Sequence, residues 1–275
     1  AIETSCNTFF YELGWRMEAR WGTALGSGDG SERFQKYERV AGFDEPTGID
    51  LPYEQDGVVP DMSWCEDNAD IGYCPDGWLP GYTVNMAIGQ GDLKVTPIQM
   101  ATTYAAIANG GTVWSPRIGM EVRKPPTGGE GEEDLEDEGI EGALVRRVKE
   151  KKGSKLPLDE TEIQVLREGL EQVIGGASGT ARGAFAGFPL DQFPLAGKTG
   201  TAQRGDTGEN DAWFISYGPT DDPRYVISVF VERAGHGGTT SAPIARQIWE
   251  GIADLEGVSG VDKATEVSLG SDSSG

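Results

Sequence analysis

The chain has 275 residues, of which 37% are hydrophobic and 25% charged, enough for one large domain with a buried core and ordinary for a globular protein. Its formal net charge of −22, from 45 acidic and 23 basic residues, repels phosphate backbones and anionic lipid and argues against nucleic acid as a partner. The longest apolar stretches, such as 225–231, fall far short of the ~18 residues of a membrane span, and no secretory signal pattern opens the chain at Ala1.

Phe9, Phe10 and Leu13 follow a 3–4 spacing that predicts a short helix start, and 33–40 reads as a second short helix. From 42 to 82 the chain is rich in Gly, Pro, Asp and Trp and is expected to be an excursion of loops and short strands. Two of the three cysteines, Cys65 and Cys74, lie there without a Cys or His at zinc-ligand spacing. They are either two free thiols or a disulfide. We carry the disulfide forward as the expectation; it would contribute roughly 2–3 kcal/mol and needs an oxidising compartment.

A clear helix follows, with Thr96 as N-cap, Pro97 in its first turn, a face of Ile98, Tyr104, Ala105 and Ile107, and Asn109-Gly110-Gly111 as its stop. Residues 112–122 read as extended. Between Gly128 and Glu141 stand eight carboxylates and no Lys or Arg, and then come Arg146, Arg147, Lys149, Lys151, Lys152 and Lys155. Without apolar periodicity, 128–155 reads as an exposed charged insertion.

The strongest helix signal is 159–174: Asp159 can cap it, acids fill its first turn, and Ile163, Leu166, Leu170, Val173 and Ile174 share a face. Strands are expected over 195–203, 212–217 and 225–233, separated by turn-forming residues as in an antiparallel meander. An amphipathic helix over 241–255 follows, and 257–275 is expected to be a disordered polar tail, leaving 1–256 as the folded domain. Helices first, then a meander and a closing helix, predict an α+β fold.

Lys198-Thr199-Gly200-Thr201 falls inside the first of those strands. There a Lys, two hydroxyls and an unobstructed backbone edge suit a carboxylate and an added strand of ligand. The plainer reading is an edge strand guarded against aggregation by its Lys. Ser5-Cys6-Asn7 sits at a helical start, where Ser and Asn commonly serve as caps. Together the two patterns fit the second and third motifs of serine acyl-transferases. His236, the single histidine, has no Asp or Glu orienter at a spacing that makes a triad and reads as a loop residue; Trp213 reads as packing.

The resemblance is wider than two motifs. Thr4-Ser5-Cys6-Asn7-Thr8-Phe9-Phe10-Tyr11, Ala87-Ile88-Gly89-Gln90-Gly91, Thr96-Pro97-Ile98-Gln99-Met100-Ala101 and Ala108-Asn109-Gly110-Gly111 occur in order. Gly179-Thr180-Ala181, Gly197 to Gln203, Ala212-Trp213-Phe214, Gly237-Gly238 and Ala242-Pro243-Ile244-Ala245 continue the series. The whole run, from residue 1 to about 254, resembles the class B penicillin-binding protein transpeptidase domain, most of all its elongation-type members.

That resemblance implies a five-stranded antiparallel sheet sandwiched between helices, as in serine β-lactamases and transpeptidases, here incomplete at the N-terminal side. It implies a peptidoglycan D,D-transpeptidase, in which a Ser of a Ser-x-x-Lys motif attacks a D-Ala-D-Ala peptide and β-lactams trap the same Ser. Ser5 would relay a proton, Asn7 bond the acyl donor's amide and Lys198 anchor charge. Thr199 and Thr201 would hold the carboxylate across Gly200, and the Thr201 N–H would form half the oxyanion hole. No cofactor or metal is implied. The implied partners are peptidoglycan stem peptides, β-lactams and a cell-wall glycosyltransferase, at the extracytoplasmic face of the bacterial membrane.

No serine in the chain has Lys three positions later. The nucleophile, its Lys, the second oxyanion donor and any membrane anchor are therefore expected upstream of Ala1, and residues 1–275 alone are expected not to acylate. Two alternatives stand beside the transpeptidase: a non-catalytic module that keeps the groove, and a β-lactamase or β-lactam-sensor relative. The Gln90-Gly91 and Thr96-to-Met100 stretches favour the transpeptidase over the latter.

Overall fold

The computed structural model describes residues 1–21, 33–124, 143–205, 208–258 and 260. The acidic run 128–141 and the tail from 261 onward, expected to be exposed and disordered, lie outside the described residues.

Helix α1 (Asn7–Trp21) opens the fold, but Phe9 and Leu13 stay 53% and 41% exposed, and its buried residues are Gly14 and Glu18. The helix packs through its smallest side chain: a Cβ on Gly14 would stand 2.8 Å from that of Ala87. Glu18, a polar side chain that would be costly to bury unpaired, accepts a 2.7 Å bond from Thr83, whose hydroxyl in turn accepts one from the Trp78 indole at 3.2 Å.

After α2 (Arg33–Val40), the segment expected as loops and short strands instead forms α3 (Met62–Asn68), a 3₁₀ turn at Ala69–Ile71 and α4 (Pro80–Met86). Its β pairing among the described residues is a single bridge, Val58 with Lys94. Helices of seven residues are too short to establish a 3.6-residue period, and their end signals are what remains. Asp61 caps α3 by accepting from the Trp64 N–H at 2.8 Å, and Pro80 opens α4. Cys65 and Cys74 are joined as a disulfide, buried with Val59, Trp78 and Met86 in a small core of their own.

Helix α5 (Pro97–Ala108) begins with a full capping box: Thr96 accepts from the Gln99 N–H, and the Gln99 side chain accepts from the Thr96 N–H. The fully buried Gln99 amide also donates to the Glu45 and Asp56 carbonyls at 3.0 and 2.6 Å, tying the preceding excursion to the helix. Next come β1 (Thr112–Trp114), β2 (Glu121–Arg123), β3 (Leu144–Arg147) and β4 (Lys152–Lys155). The basic half of the charged insertion is thus not a bare connection. Its two strands are exposed throughout, yet β3 pairs with β2 and β4 with β1, both antiparallel.

Helix α6 (Glu160–Gly175), capped by Asp159, leads into the main sheet of β5 (Ala196–Gln203), β6 (Asn210–Gly218) and β7 (Tyr225–Val231), all antiparallel in that order. Helix α7 (Ser241–Leu255) closes the chain. Alternation along β6 divides the core: Ile215 and Tyr217 meet Tyr104 of α5 and Leu170 of α6, while Phe214 faces Ala242, Ala245 and Trp249 of α7. The sheet therefore lies between helices, as expected, with three strands among the described residues rather than five.

Candidate active site

Strand β5 pairs with β6 along one edge, and its other edge bonds to no strand among the described residues. The Thr199 and Thr201 carbonyls and the Gln203 N–H accept or donate on that outer side, so alternate residues of the Lys-Thr-Gly-Thr run turn their backbone outward.

The N-terminal segment reaches this edge because it is fastened at several points. Ile2 packs into the core clusters on both faces of the sheet, and Glu3 accepts from the Ser178 N–H at 2.8 Å while its carbonyl accepts from the Thr180 N–H at 3.3 Å. Ser5 then takes a left-handed backbone, φ 51°, with its N–H donating to the Ile2 carbonyl at 3.2 Å. A serine held in that region is an uncommon arrangement.

This turn brings together residues 193 positions apart: the Lys198 ammonium donates to Ser5 Oγ at 2.8 Å, and to the Thr199 carbonyl at 2.7 Å. Burial pushes the Lys198 amine down to about 8. Beside it the Thr199 and Thr180 hydroxyls lie 2.7 Å apart. The site thus gathers an ammonium of lowered basicity and several hydroxyls at an open strand edge. Such a group suits an anion more than a cation.

The other sequence-derived candidates fall as follows. Asn7 is exposed at the start of α1, two residues on from Ser5, and Gly200 and Thr201 lie on β5. The disulfide is in the separate small core and takes no part in this site. His236 is in the β7–α7 loop, its carbonyl accepting from the Thr239 and Thr240 N–H groups; Trp213 packs on Phe230 with ring centroids 4.6 Å apart. Sequence reasoning gave no role to Thr180, Gln90 or Gly237, all of which touch β5. The signal was in their motifs, Gly179-Thr180-Ala181, Gly89-Gln90-Gly91 and Gly237-Gly238, but none contains a group that does chemistry unaided.

Comparison with known proteins settles the family. The penicillin-binding protein transpeptidase domain profile matches residues 1–250. The chain belongs to this family. Among its relatives, the peptidoglycan D,D-transpeptidase MrdA of Haemophilus influenzae is 28% identical over 272 residues, covering 91% of this chain and 35% of that protein. Stage V sporulation protein D of Bacillus subtilis is 32% identical over 258 residues, covering 90% and 32%. The complex of penicillin-binding protein PBP2 with MreC from Helicobacter pylori superposes with a TM-score of 0.67 at 27% identity, covering 93% of this chain and 39% of that one. Pseudomonas aeruginosa PBP2 bound to WCK 5153 gives 0.64 at 26%, covering 90% and 46%. The class B, elongation-type resemblance is thus supported in sequence and in fold, and the chain spans about a third of the length of the curated relatives it matches.

Proposed function

We propose that this chain supplies the carboxylate-binding and proton-relay side of a serine D,D-transpeptidase that cross-links peptidoglycan stem peptides and is acylated by β-lactams. The observation that carries the reading is the Lys198–Ser5 bond of 2.8 Å beside the outward edge of β5. In this scheme Lys198 and the Thr199 and Thr201 hydroxyls hold the terminal carboxylate of a D-Ala-D-Ala strand lying along that edge. A Cβ on Gly200 would stand 3.0 Å from that of Trp213, so the glycine lets the two strands pack closely there, and Asn7 bonds the donor's amide.

The nucleophile belongs to a Ser-x-x-Lys motif that residues 1–275 do not contain. Its Oγ would attack the penultimate carbonyl, the oxyanion resting partly on the Thr201 N–H, and the C–N bond would break as the leaving D-Ala amine takes a proton through Ser5. The amine of a second stem peptide would then displace the serine from the acyl carbon, returning the proton to its Oγ. Ser5 is suited to the relay because its hydroxyl already accepts from Lys198 and keeps its own proton free to donate. By the same reading the protein works at the extracytoplasmic face of the bacterial membrane beside a glycosyltransferase. The homologous PBP2 structure with MreC, and a related chain from a peptidoglycan synthase complex at 28% identity, support such a setting.

Labelling the intact polypeptide that carries residues 1–275 with a fluorescent penicillin tests this. Acylation is expected in the wild type and should fall by about a hundredfold or more in Ser5→Ala and Lys198→Ala, the scale of losing one group that acts on the reacting atoms. Full-rate labelling of both variants would contradict it.

A further inference from the structure

One of the motifs remains without a role: the loop Ala87-Ile88-Gly89-Gln90-Gly91 after α4, far from β5 in sequence. The loop is a fixed turn. The Gly89 N–H donates to the Met86 carbonyl at 2.8 Å and the Gln90 N–H to the Asn85 carbonyl at 3.0 Å. Gly89 and Gly91 flank the glutamine at φ +71° and +83°, a region other residues rarely enter. The built turn aims one side chain at the open edge of β5.

There the Gln90 amide makes two bonds at once. Its Nε2 donates to the Thr201 carbonyl at 2.8 Å, and its Oε1 accepts from the Gln203 N–H at 3.2 Å. A carbonyl and the N–H two residues further on are groups that an added strand bonds, through the N–H and C=O of one residue if parallel or of residues two apart if antiparallel. The side-chain amide therefore occupies, with one donor and one acceptor, two backbone groups that an added strand would use, beginning at the residue that ends the Lys-Thr-Gly-Thr run.

We propose that Gln90 is a place-holder: it occupies the peptide position next to Thr201 in the free protein and is displaced when a ligand strand adds to β5. The inference rests on the peptide-binding reading of this edge and adds a competition to it. While Gln90 holds the edge, only the fraction of molecules with it released can accept a full-length strand, and apparent affinity falls by that fraction. The two hydrogen bonds also satisfy backbone groups of an edge that would otherwise invite pairing with another chain. Ligands that stop short of the Thr201 carbonyl do not meet the glutamine, so the device discriminates by length along the strand.

Two measurements on the intact polypeptide test it. Amide hydrogen exchange should show the Gln203 N–H protected in the wild type and at least tenfold less protected in Gln90→Ala, with the rest of β5 unchanged. Apparent affinity for diacetyl-L-lysyl-D-alanyl-D-alanine should rise about five- to tenfold in Gln90→Ala, as expected for removing a competitor that makes two ordinary hydrogen bonds. Affinity for N-acetyl-D-alanine, whose acetyl group has no N–H to offer the Thr201 carbonyl, should not change. Gln203 protection that is independent of Gln90, or affinity for the longer peptide that is unchanged or weaker in the variant, would overturn the place-holder alone. Failure of both wild type and variant to bind either ligand would overturn the peptide-binding reading, and this inference with it.

Discussion

Gly237 lies against Gly200 so closely that a Cβ on Gly237 would stand 2.4 Å from the Gly200 carbonyl oxygen and 2.1 Å from that of Trp213. The loop between β7 and α7 thus presses on the backbone of the Lys-Thr-Gly run, and Gly238 continues the contact at the Thr180 carbonyl, 2.7 Å from where its own Cβ would be. These obstacles are backbone and cannot swing aside. Gly237→Ala is expected to displace β5 at Gly200 and to lower β-lactam acylation of the intact polypeptide more than tenfold. Circular dichroism should report a folded protein. Acylation at the wild-type rate would show that the loop does not set the strand's position.

The buried Lys198 amine, pushed down to about 8, gives the site a pH signature. Anion binding needs the ammonium, so affinity for a carboxylate-terminated peptide should be flat below pH 7 and decline as pH rises through about 8. Stability moves the other way. The folded chain releases the proton near 8 and the unfolded chain near 10.5, so unfolding takes up a proton between those values and stability rises across that window. A peptide-binding titration from pH 6 to 10 checks the first part, with Lys198→Met expected to be weak and pH-independent throughout.

Glu38 of α2, half-buried, is a second group whose titration is shifted, raised to about 8 chiefly by desolvation, against the lowering effect of Arg39. One of its carboxylate oxygens is buried without a hydrogen-bond partner. The folded state binds its proton more tightly than the unfolded state, whose value is 4.5, so this carboxyl costs nothing below that pH and increasingly destabilises the fold as pH rises towards 8. Glu38→Gln is expected to stabilise the protein at pH 7.5 by on the order of 1–3 kcal/mol and to leave stability at pH 4 nearly unchanged. Chemical denaturation at the two pH values measures it; equal effects at both would remove the titration from the explanation.

The disulfide between Cys65 and Cys74 closes a short loop whose ends are nine residues apart. Reduction is expected to cost about 2–3 kcal/mol by the chain-entropy estimate. The loss should be concentrated in the small core around Val59, Trp78 and Met86, away from Lys198. Hydrogen exchange before and after reduction locates it; loosening of β5 instead would show that the two parts are coupled.

What could be read from the sequence divides along physical lines. Helix α5 announced itself through Thr96, Pro97 and the glycines after Asn109, and α6 through Asp159 and its apolar face, because caps and a long period are local signals. The meander of β5, β6 and β7 was equally plain from its turns. Short α3 and α4 were not, since one or two turns carry no period, and the pairing of exposed β3 and β4 is non-local and has no buried face to mark it. At the site, Lys198 and Ser5 stood out because their side chains can do chemistry. Gln90 and Gly237 did not, since one acts through a side-chain amide on backbone 111 residues away and the other by having no side chain at all.

The most direct test of the account is the binding of diacetyl-L-lysyl-D-alanyl-D-alanine and of its C-terminal carboxamide to the intact polypeptide and to its Lys198→Met variant. If Lys198 and its neighbouring hydroxyls are a carboxylate anchor, the wild type should prefer the acid by at least tenfold, and Lys198→Met should bind both peptides alike. Equal wild-type affinity for acid and amide, or a preference that survives the loss of Lys198, would contradict it.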